Sequence, residues 1–236
     1  MGLMIGSSSP RACYNCSLFA KLILMMKNRT TVPTLAWSAK NLWRPTPLGL
    51  FVLTLALIVC GIGEALIIQS QLGAAPWTVL ALGVNHFTPF SLGLTTFCIS
   101  VVVLLLWIPL GLKMGLGTLM NALTIATTLH FILPVLPVAE GLLIQWAYLL
   151  GGVVVLGVGT CFYLSCHMGG GPRDGLLVGI WQKVGRPIGQ VRTVIELLVL
   201  GTGFLLGGTV GVGTLVFAFG VGQVMQITFR LLEKSV

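Results

Sequence analysis

Residues 72–78 read LGAAPWT and residues 168–174 read MGGGPRD, so one glycine-proline motif occurs twice, at a spacing of 96 residues. The same spacing superposes further glycines, and it superposes GLGTL at 115–119 on GVGTL at 211–215. Apolar residues match by chance in any strongly apolar sequence, whereas glycine and proline occur where the backbone needs a particular conformation. The shared frame therefore indicates an internal duplication, with one membrane repeat over residues 48–137 and the other over 142–233.

The composition is that of a membrane protein. Hydrophobic residues make up 56% of the 236 positions, charged residues make up 8%, and the mean hydropathy is +1.02. A soluble domain carries about 25% charged residues because its surface must face water. So few charges cannot cover a globule of this size, which predicts the lipid bilayer as the partner of most of the surface.

Positive charge is concentrated in an N-terminal arm, residues 1–47, which contains no Asp or Glu. Basic residues beside a membrane span mark its cytoplasmic side and suit anionic lipid headgroups, so we expect a disordered or interfacial cytoplasmic arm. The rest of the sequence has no basic patch interleaved with aromatic residues, which argues against nucleic acid as a partner. The arm holds six of the thirteen basic residues: Arg11, Lys21, Lys27, Arg29, Lys40 and Arg44.

Each repeat divides into four apolar segments, which we name A (48–70 and 143–166), B (74–87 and 171–183), C (90–112 and 188–207) and D (116–134 and 212–230). Segments A, C and D approach the roughly 20 residues needed to cross a bilayer, whereas segment B has only about 14. The motif before B starts a new helix, so we interpret B as a re-entrant or interfacial half-helix. The sequence thus predicts an all-α polytopic membrane helix bundle with six spanning helices.

The distribution of Lys and Arg predicts the orientation. If the N-terminal arm is cytoplasmic and A, C and D cross, Lys113 and the region 167–187 lie inside, while the region 73–90 and the loop 208–211 lie outside without any Lys or Arg. Eight spans would move Lys113 outside, against the positive-inside rule. Three spans per repeat make the repeats antiparallel, so we predict two inverted three-helix repeats, an architecture of many secondary transporters. Both termini are then cytoplasmic.

The two glycine-proline motifs are the strongest candidates for a binding site. A half-helix that begins at membrane depth exposes free N–H groups and a partial positive charge, so two such starts could meet a polar or anionic solute from opposite faces. The alternative is a tight turn packed between segments, with Asp174 only complementing the helix dipole. Candidate substrate contacts are Gly73, Pro76, Trp77, Thr78, Gly169, Pro172, Arg173 and Asp174, together with Asn121 on segment D.

Two carboxylates lie within predicted spans, where an ionisable side chain is by default a functional hypothesis. Glu64 has no charged neighbour on its own segment, so it is a candidate for ion coupling, in particular to protons, and the alternative is a hydrogen bond to a polar group of another helix. Glu196 follows Arg192 by four residues, which places both on one helix face. They are further coupling candidates, and the alternative is a self-neutralising pair that makes insertion tolerable.

The sequence contains no arrangement typical of an enzyme. No P-loop, G-x-S-x-G or H-E-x-x-H motif is present. The pair Cys13 and Cys16 lacks a second C-x-x-C or spaced histidines, so it does not predict a metal site. We therefore expect no catalysis, no cofactor and no resident metal.

Five motifs resemble the YczE-like family of bacterial membrane proteins, over roughly residues 47–232. They are GAAPW (73–77), GLGTLMNA (115–122), GGPRDGL (170–176), VRTVIE (191–196) and GVGTL (211–215). YitT-type proteins look like more distant kin. The resemblance implies a multi-pass protein of the bacterial plasma (inner) membrane, without a particular activity. It also implies acidic residues after the Pro-Trp pair and near the end of segment D, where this sequence has Thr78 and His130.

Two functions remain in view. The leading prediction is a secondary transporter or permease for a small polar or anionic solute, bound between the two motifs. The alternative is a non-transporting membrane scaffold or accessory subunit. The sequence leaves a homo-oligomer open in either case.

Overall fold

The computed structural model describes residues 34–184 and 188–234. Within these ranges the chain forms eight α-helices and no strand. This confirms the predicted all-helical class, and each helix lies on one of the eight predicted apolar segments. The helices are α1 (Pro47–Gln69), α2 (Pro76–Asn85), α3 (Leu92–Leu110), α4 (Leu116–Ile132), α5 (Leu142–Ser165), α6 (Pro172–Val184), α7 (Ile188–Leu205) and α8 (Val212–Lys234).

The helix ends follow ordinary capping chemistry. Proline occupies the first turn of α1 and α2, where its missing N–H costs nothing and its φ suits a helix. The Thr46 hydroxyl caps α1 by accepting from Gly49 N at 3.0 Å. Gly111 ends α3 in the left-handed conformation at φ 68, and Gly207 follows α7 at φ 89.

The outer surface is apolar and suits lipid. Four of the described helices, namely α1, α3, α5 and α8, are long and apolar enough to cross a membrane. Large apolar side chains such as Phe51, Ile108, Leu143 and Phe219 are more than half exposed. In water such contiguous apolar surface would drive aggregation, so the bundle belongs in a bilayer.

The centre of the bundle is the crossing of α1 and α5, where glycines bring the two backbones together. A Cβ on Gly63 would lie 2.7 Å from the Leu156 nitrogen, and one on Gly152 would lie 2.7 Å from the Gly63 oxygen. A Cβ on Gly159, the counterpart of Gly63, would lie 3.0 Å from the Ala56 oxygen. Small residues permit this kind of close helix contact in membranes. The crossing therefore uses equivalent positions of the two repeats.

The half-helices cross over between repeats. Helix α2 packs against α7 as well as α3, and α6 packs against α3 as well as α7. Within each repeat, by contrast, α4 packs on α1 and α8 packs on α5. Each repeat therefore completes the packing of the other.

Part of the N-terminal arm is fixed on this bundle, and residues 1–33 lie outside the described residues. Trp37 Nε1 donates to Ser165 Oγ at 2.9 Å, and its ring stacks on Phe162 with centroids 6.1 Å apart. Ala39 N donates to Cys166 O at 2.9 Å. Residues 34–46 thus cover the end of α5 and the turn that follows it.

Replacement of Gly152 by alanine tests the helix crossing. The new methyl group must push α1 and α5 apart, so we expect Gly152→Ala to lower the free energy of unfolding by about 1–3 kcal/mol. Gly151→Ala on the same helix is the matched control, because a Cβ there meets nothing within 4 Å. This control should gain up to about 1 kcal/mol from helix propensity. Unfolding of the purified protein in mixed detergent micelles measures both, and equal effects of the two substitutions would contradict the crossing.

Candidate functional site

The two glycine-proline motifs fold into the same turn. After α1, Gln71 and Gly73 have φ of 58 and 121, and 96 residues later His167 and Gly169 have φ of 54 and 104. A non-glycine residue with positive φ is uncommon and costs free energy. The recurrence of this strain at equivalent positions means that the surrounding structure imposes the turn twice.

Each turn is held by the start of segment D of the other repeat, which is α4 or α8. Gly117 N at the start of α4 donates to Met168 O at 2.8 Å, and Gly213 N at the start of α8 donates to Leu72 O at 2.7 Å. A Cβ on Gly73 would lie 2.7 Å from the Gly211 nitrogen. The predicted tight, packed turn is therefore present at Gly73 and Gly169, and both of these glycines serve the turn rather than line a cavity.

A cavity of about 200 Å³ lies where the turns lead into α2 and α6. It brings together most of the side chains that the sequence singled out, although these come from five different helices. The predicted residues that line it are Glu64, Pro76, Trp77, Thr78, Asn121, Pro172, Arg173, Asp174 and Glu196. The side chain of Arg192 lies outside the described residues, so its predicted pairing with Glu196 has no geometry here.

Glu64 links three helices at one side of this cavity. Its carboxylate accepts a hydrogen bond of 2.5 Å from the Thr78 hydroxyl on α2. The Arg173 guanidinium on α6 lies 3.7 Å from the same oxygen and 5.7 Å from the centre of the Trp77 ring. Glu64 is only 5% exposed, so these contacts replace its hydration. A carboxylate of the first repeat thus pairs with a guanidinium of the second.

Asp174 forms a separate contact on the other side. The Tyr163 hydroxyl on α5 donates to Asp174 Oδ2 at 2.7 Å and accepts from Gly171 N at 3.3 Å. The nearby Pro172 carbonyl accepts from Trp107 Nε1 at 3.0 Å. Asp174 itself is exposed, whereas Tyr163 is buried. The start of α6 is therefore anchored to α5 and α3 by neutral donors.

The two repeats exchange the position of their carboxylate. The counterpart of Thr78 is Asp174, and the counterpart of Glu64 is Thr160. The first repeat therefore carries the acid on its spanning helix and the hydroxyl on its half-helix, and the second carries them the other way round. In both cases one carboxylate stands beside the start of a half-helix, where it complements the partial positive charge of that end.

Sequence reasoning missed three side chains that shape this site: Tyr163, Trp107 and Thr96. Tyr163 aligns with Ile67 and Trp107 lies in an apolar run, so neither gave a signal. Thr96 lines the cavity, and its buried hydroxyl has no hydrogen-bond partner among the described residues. Its carbonyl accepts from Ser100 Oγ at 2.9 Å.

No metal centre occurs in the described part of the chain, where no three His, Cys, Asp or Glu residues lie close enough to hold an ion. The three carboxylates of the cavity wall, those of Glu64, Asp174 and Glu196, are therefore not grouped closely enough to bind one metal ion.

A double-mutant cycle tests the contact between the repeats. Glu64→Gln and Arg173→Gln each leave an unpaired partner, so the double variant should be more stable than the sum of the single effects predicts by about 1 kcal/mol. Unfolding in mixed micelles gives the three free energies. Glu64→Gln combined with Lys234→Gln at the end of α8 is the control and should be additive. Additivity of the Glu64 and Arg173 substitutions would show that the ion pair contributes nothing.

Comparison with known proteins identifies the family. A family model described as "Family of unknown function (DUF6198)" matches residues 48–230. An "Uncharacterized protein" of Haemophilus influenzae is 41% identical over 210 residues, which cover 89% of this chain and 96% of that protein. The "Uncharacterized membrane protein YczE" of Bacillus subtilis is 30% identical over 179 residues, which cover 73% of this chain and 81% of that protein.

A third relative, the "Uncharacterized protein YyaS" of Bacillus subtilis, is 26% identical over 192 residues, which cover 76% of this chain and 92% of that protein. No solved structure matches this chain. The family match covers the membrane bundle from α1 to α8 and confirms the resemblance read from the motifs. The chain is a YczE-like membrane protein and belongs to the DUF6198 family.

Proposed function

We propose that the protein is a secondary transporter that carries a small polar solute across the bacterial plasma membrane. The observation that carries the proposal is the cavity between the starts of α2 and α6. Its wall holds Glu64, Arg173, Asp174 and Glu196 inside a bundle whose exterior is apolar. Ionisable groups inside a membrane are costly, and they mark solute and ion pathways.

The dimensions of the cavity and of the half-helices support this function. The cavity of about 200 Å³ is smaller than the roughly 300–1,000 Å³ of drug-sized sites, so it suits a small solute. Helices α2 and α6 have 10 and 13 residues and are about 15 and 20 Å long. Secondary transporters place their sites at interrupted helices of this kind, near the interface of two repeats.

Six spans arise when the two repeats are considered together. Segment A is long enough to cross a membrane in both repeats, as α1 and α5. Segment C is long enough in the first repeat, as α3, and segment D is long enough in the second, as α8. By duplication α7 and α4 take the corresponding places, and the 17 residues of α4 are about 26 Å long. Segment B is short in both repeats and cannot cross a core of about 30 Å. Three spans per repeat make the repeats inverted and leave both termini in the cytoplasm.

Contacts at the ends of the half-helices support this orientation. Lys183 Nζ at the end of α6 donates to Pro109 O at 2.7 Å, so α6 ends beside the end of α3. His86 at the end of α2 lies beside Gly207, at the end of α7. In the six-span arrangement the end of α3 is cytoplasmic and the end of α7 is external. The positive-inside rule assigns Lys183 to the same side as Lys113.

Single cysteines at residues 86 and 183 test the orientation. His86 and Lys183 are both exposed, so in a background without native cysteines we expect His86→Cys to react with a membrane-impermeant maleimide in intact cells. Lys183→Cys should react only after the membrane is opened. Lys234→Cys at the C-terminal end of α8 serves as the cytoplasmic reference. Labelling of residues 86 and 183 from the same side would contradict the inverted repeats.

Counterflow in proteoliposomes tests transport itself. A panel of radiolabelled amino acids, amines and short organic acids should include at least one solute that exchanges with vesicles containing the protein and not with empty vesicles. Ala122→Phe should abolish this exchange, because Ala122 lines the cavity and the larger side chain fills it. The adjacent Leu123→Phe should leave exchange unchanged, because Leu123 is 56% exposed on the lipid side.

Both variants must first elute as monodisperse protein, so that loss of exchange reports the cavity and not unfolding. Absence of exchange for every solute with intact protein would contradict transport and favour a scaffold or accessory role.

A further inference from the structure

We propose that the solute of this cavity is a small organic cation, a protonated amine with an apolar body that is held by Asp174. The inference rests on the proposed function, because it assigns the cavity to the transported solute. It follows from the charges of the wall, from the starts of the two half-helices, and from one buried hydroxyl group.

The accessible charge of the cavity wall is negative. The four charged side chains described there are Glu64, Arg173, Asp174 and Glu196. Glu64 and Arg173 pair with each other, and Glu196 has a partner within the protein. Asp174 receives a hydrogen bond from the neutral Tyr163 hydroxyl and remains exposed. A carboxylate that is reachable and only partly compensated attracts a cation.

The places that would attract an anion are already occupied by the protein. Each half-helix start is equivalent to roughly half a positive charge. Glu64 stands beside the start of α2 through Thr78, and Asp174 lies in the first turn of α6. The guanidinium of Arg173 is engaged by Glu64 and by the face of Trp77. An anionic solute would therefore meet carboxylates where the sequence alone predicted free N–H groups.

A second, independent observation is the hydroxyl of Thr96. Thr96 is 3% exposed and lines the cavity, and its Oγ1 has no partner among the described residues. A buried hydroxyl without a partner is costly, and its two lone pairs can accept from an ammonium group. An ammonium group, which has several N–H donors, suits both this hydroxyl and the Asp174 carboxylate.

The remaining wall selects an organic cation over a metal ion. No cluster of three metal-ligating side chains exists in the described ranges. Much of the lining is apolar, with contributions from Ile67, Leu156, Phe217, Val221 and Met225. Burial of a hydrocarbon body against this apolar surface is favourable, whereas the surface has no ligands to replace the hydration shell of a metal ion.

Binding to the purified full-length protein in detergent tests this inference. Isopentylammonium chloride is titrated against sodium isovalerate, which has a hydrocarbon part of similar size with the opposite charge, and against sodium and magnesium chloride. Calorimetry and thermal denaturation report binding. We expect saturable binding and a raised Tm with the ammonium ion alone. Asp174→Asn should raise the Kd at least about tenfold through loss of the charged partner, while Glu140→Gln on an exposed loop should not change it.

A pair of adjacent threonines provides the second test. Thr96→Val removes the unpartnered hydroxyl, so we expect a higher Tm without ligand and a Kd for isopentylammonium that is several-fold higher. Thr95→Val is the matched control, because Thr95 Oγ1 donates to Asn85 Oδ1 at 2.8 Å outside the cavity. It should lower the Tm and leave the Kd unchanged.

Each outcome bears on the inference. Binding of isovalerate in place of the ammonium ion, or ammonium binding that Asp174→Asn leaves intact, would overturn it. Counterflow of a neutral or anionic solute without ammonium binding would overturn the inference while the transport function stands. Ammonium binding without any counterflow would support the site and contradict transport.

Discussion

Two backbone hydrogen bonds, Gly117 N to Met168 O and Gly213 N to Leu72 O, are the constraint on which the rest of the bundle depends. Buried backbone N–H and C=O groups must find hydrogen-bond partners. The turns after α1 and α5 present free carbonyls, and the starts of α4 and α8 present free N–H groups. The N–H groups donate to the carbonyls, and the two backbones lie in van der Waals contact. Only glycine permits this close approach at residues 115 and 211.

This arrangement explains why the cavity belongs to neither repeat alone. Because each turn is clamped, the following half-helix starts inside the bundle and packs on segment C of the other repeat. The starts of α2 and α6 then face one space, whose wall includes α1, α4 and α5. A single repeat would leave its turn without hydrogen-bond partners and its half-helix without a packing surface. The site therefore needs both halves of the chain.

The sequence predicted the features that depend on the backbone, namely the repeated glycine positions and the helices. It did not predict which side chains of different helices contact each other. The 96-residue frame is visible because turns with positive φ and touching backbones restrict positions such as Gly73, Gly169 and Gly63 to glycine. The eight helices follow from apolar length. Glu64 contacts Thr78 and Tyr163 contacts Asp174 across different helices. Neither contact leaves a helical or repeat pattern in the sequence. The repeat even obscures them, because its two copies carry acid and hydroxyl in opposite places.

That exchange makes a symmetric backbone electrostatically asymmetric. The first carboxylate, Glu64, bridges the repeats through Arg173, whereas the second, Asp174, is bound within its own repeat by Tyr163. A movement of one repeat against the other would separate Glu64 from Arg173 and leave two charges unpaired where the dielectric constant is low, which is costly. It would leave the contact of Asp174 with Tyr163 intact. For the transport that we propose, alternation between two faces therefore needs a charge that replaces one partner of the Glu64–Arg173 pair, and a charged solute or a proton in the adjoining cavity would supply it.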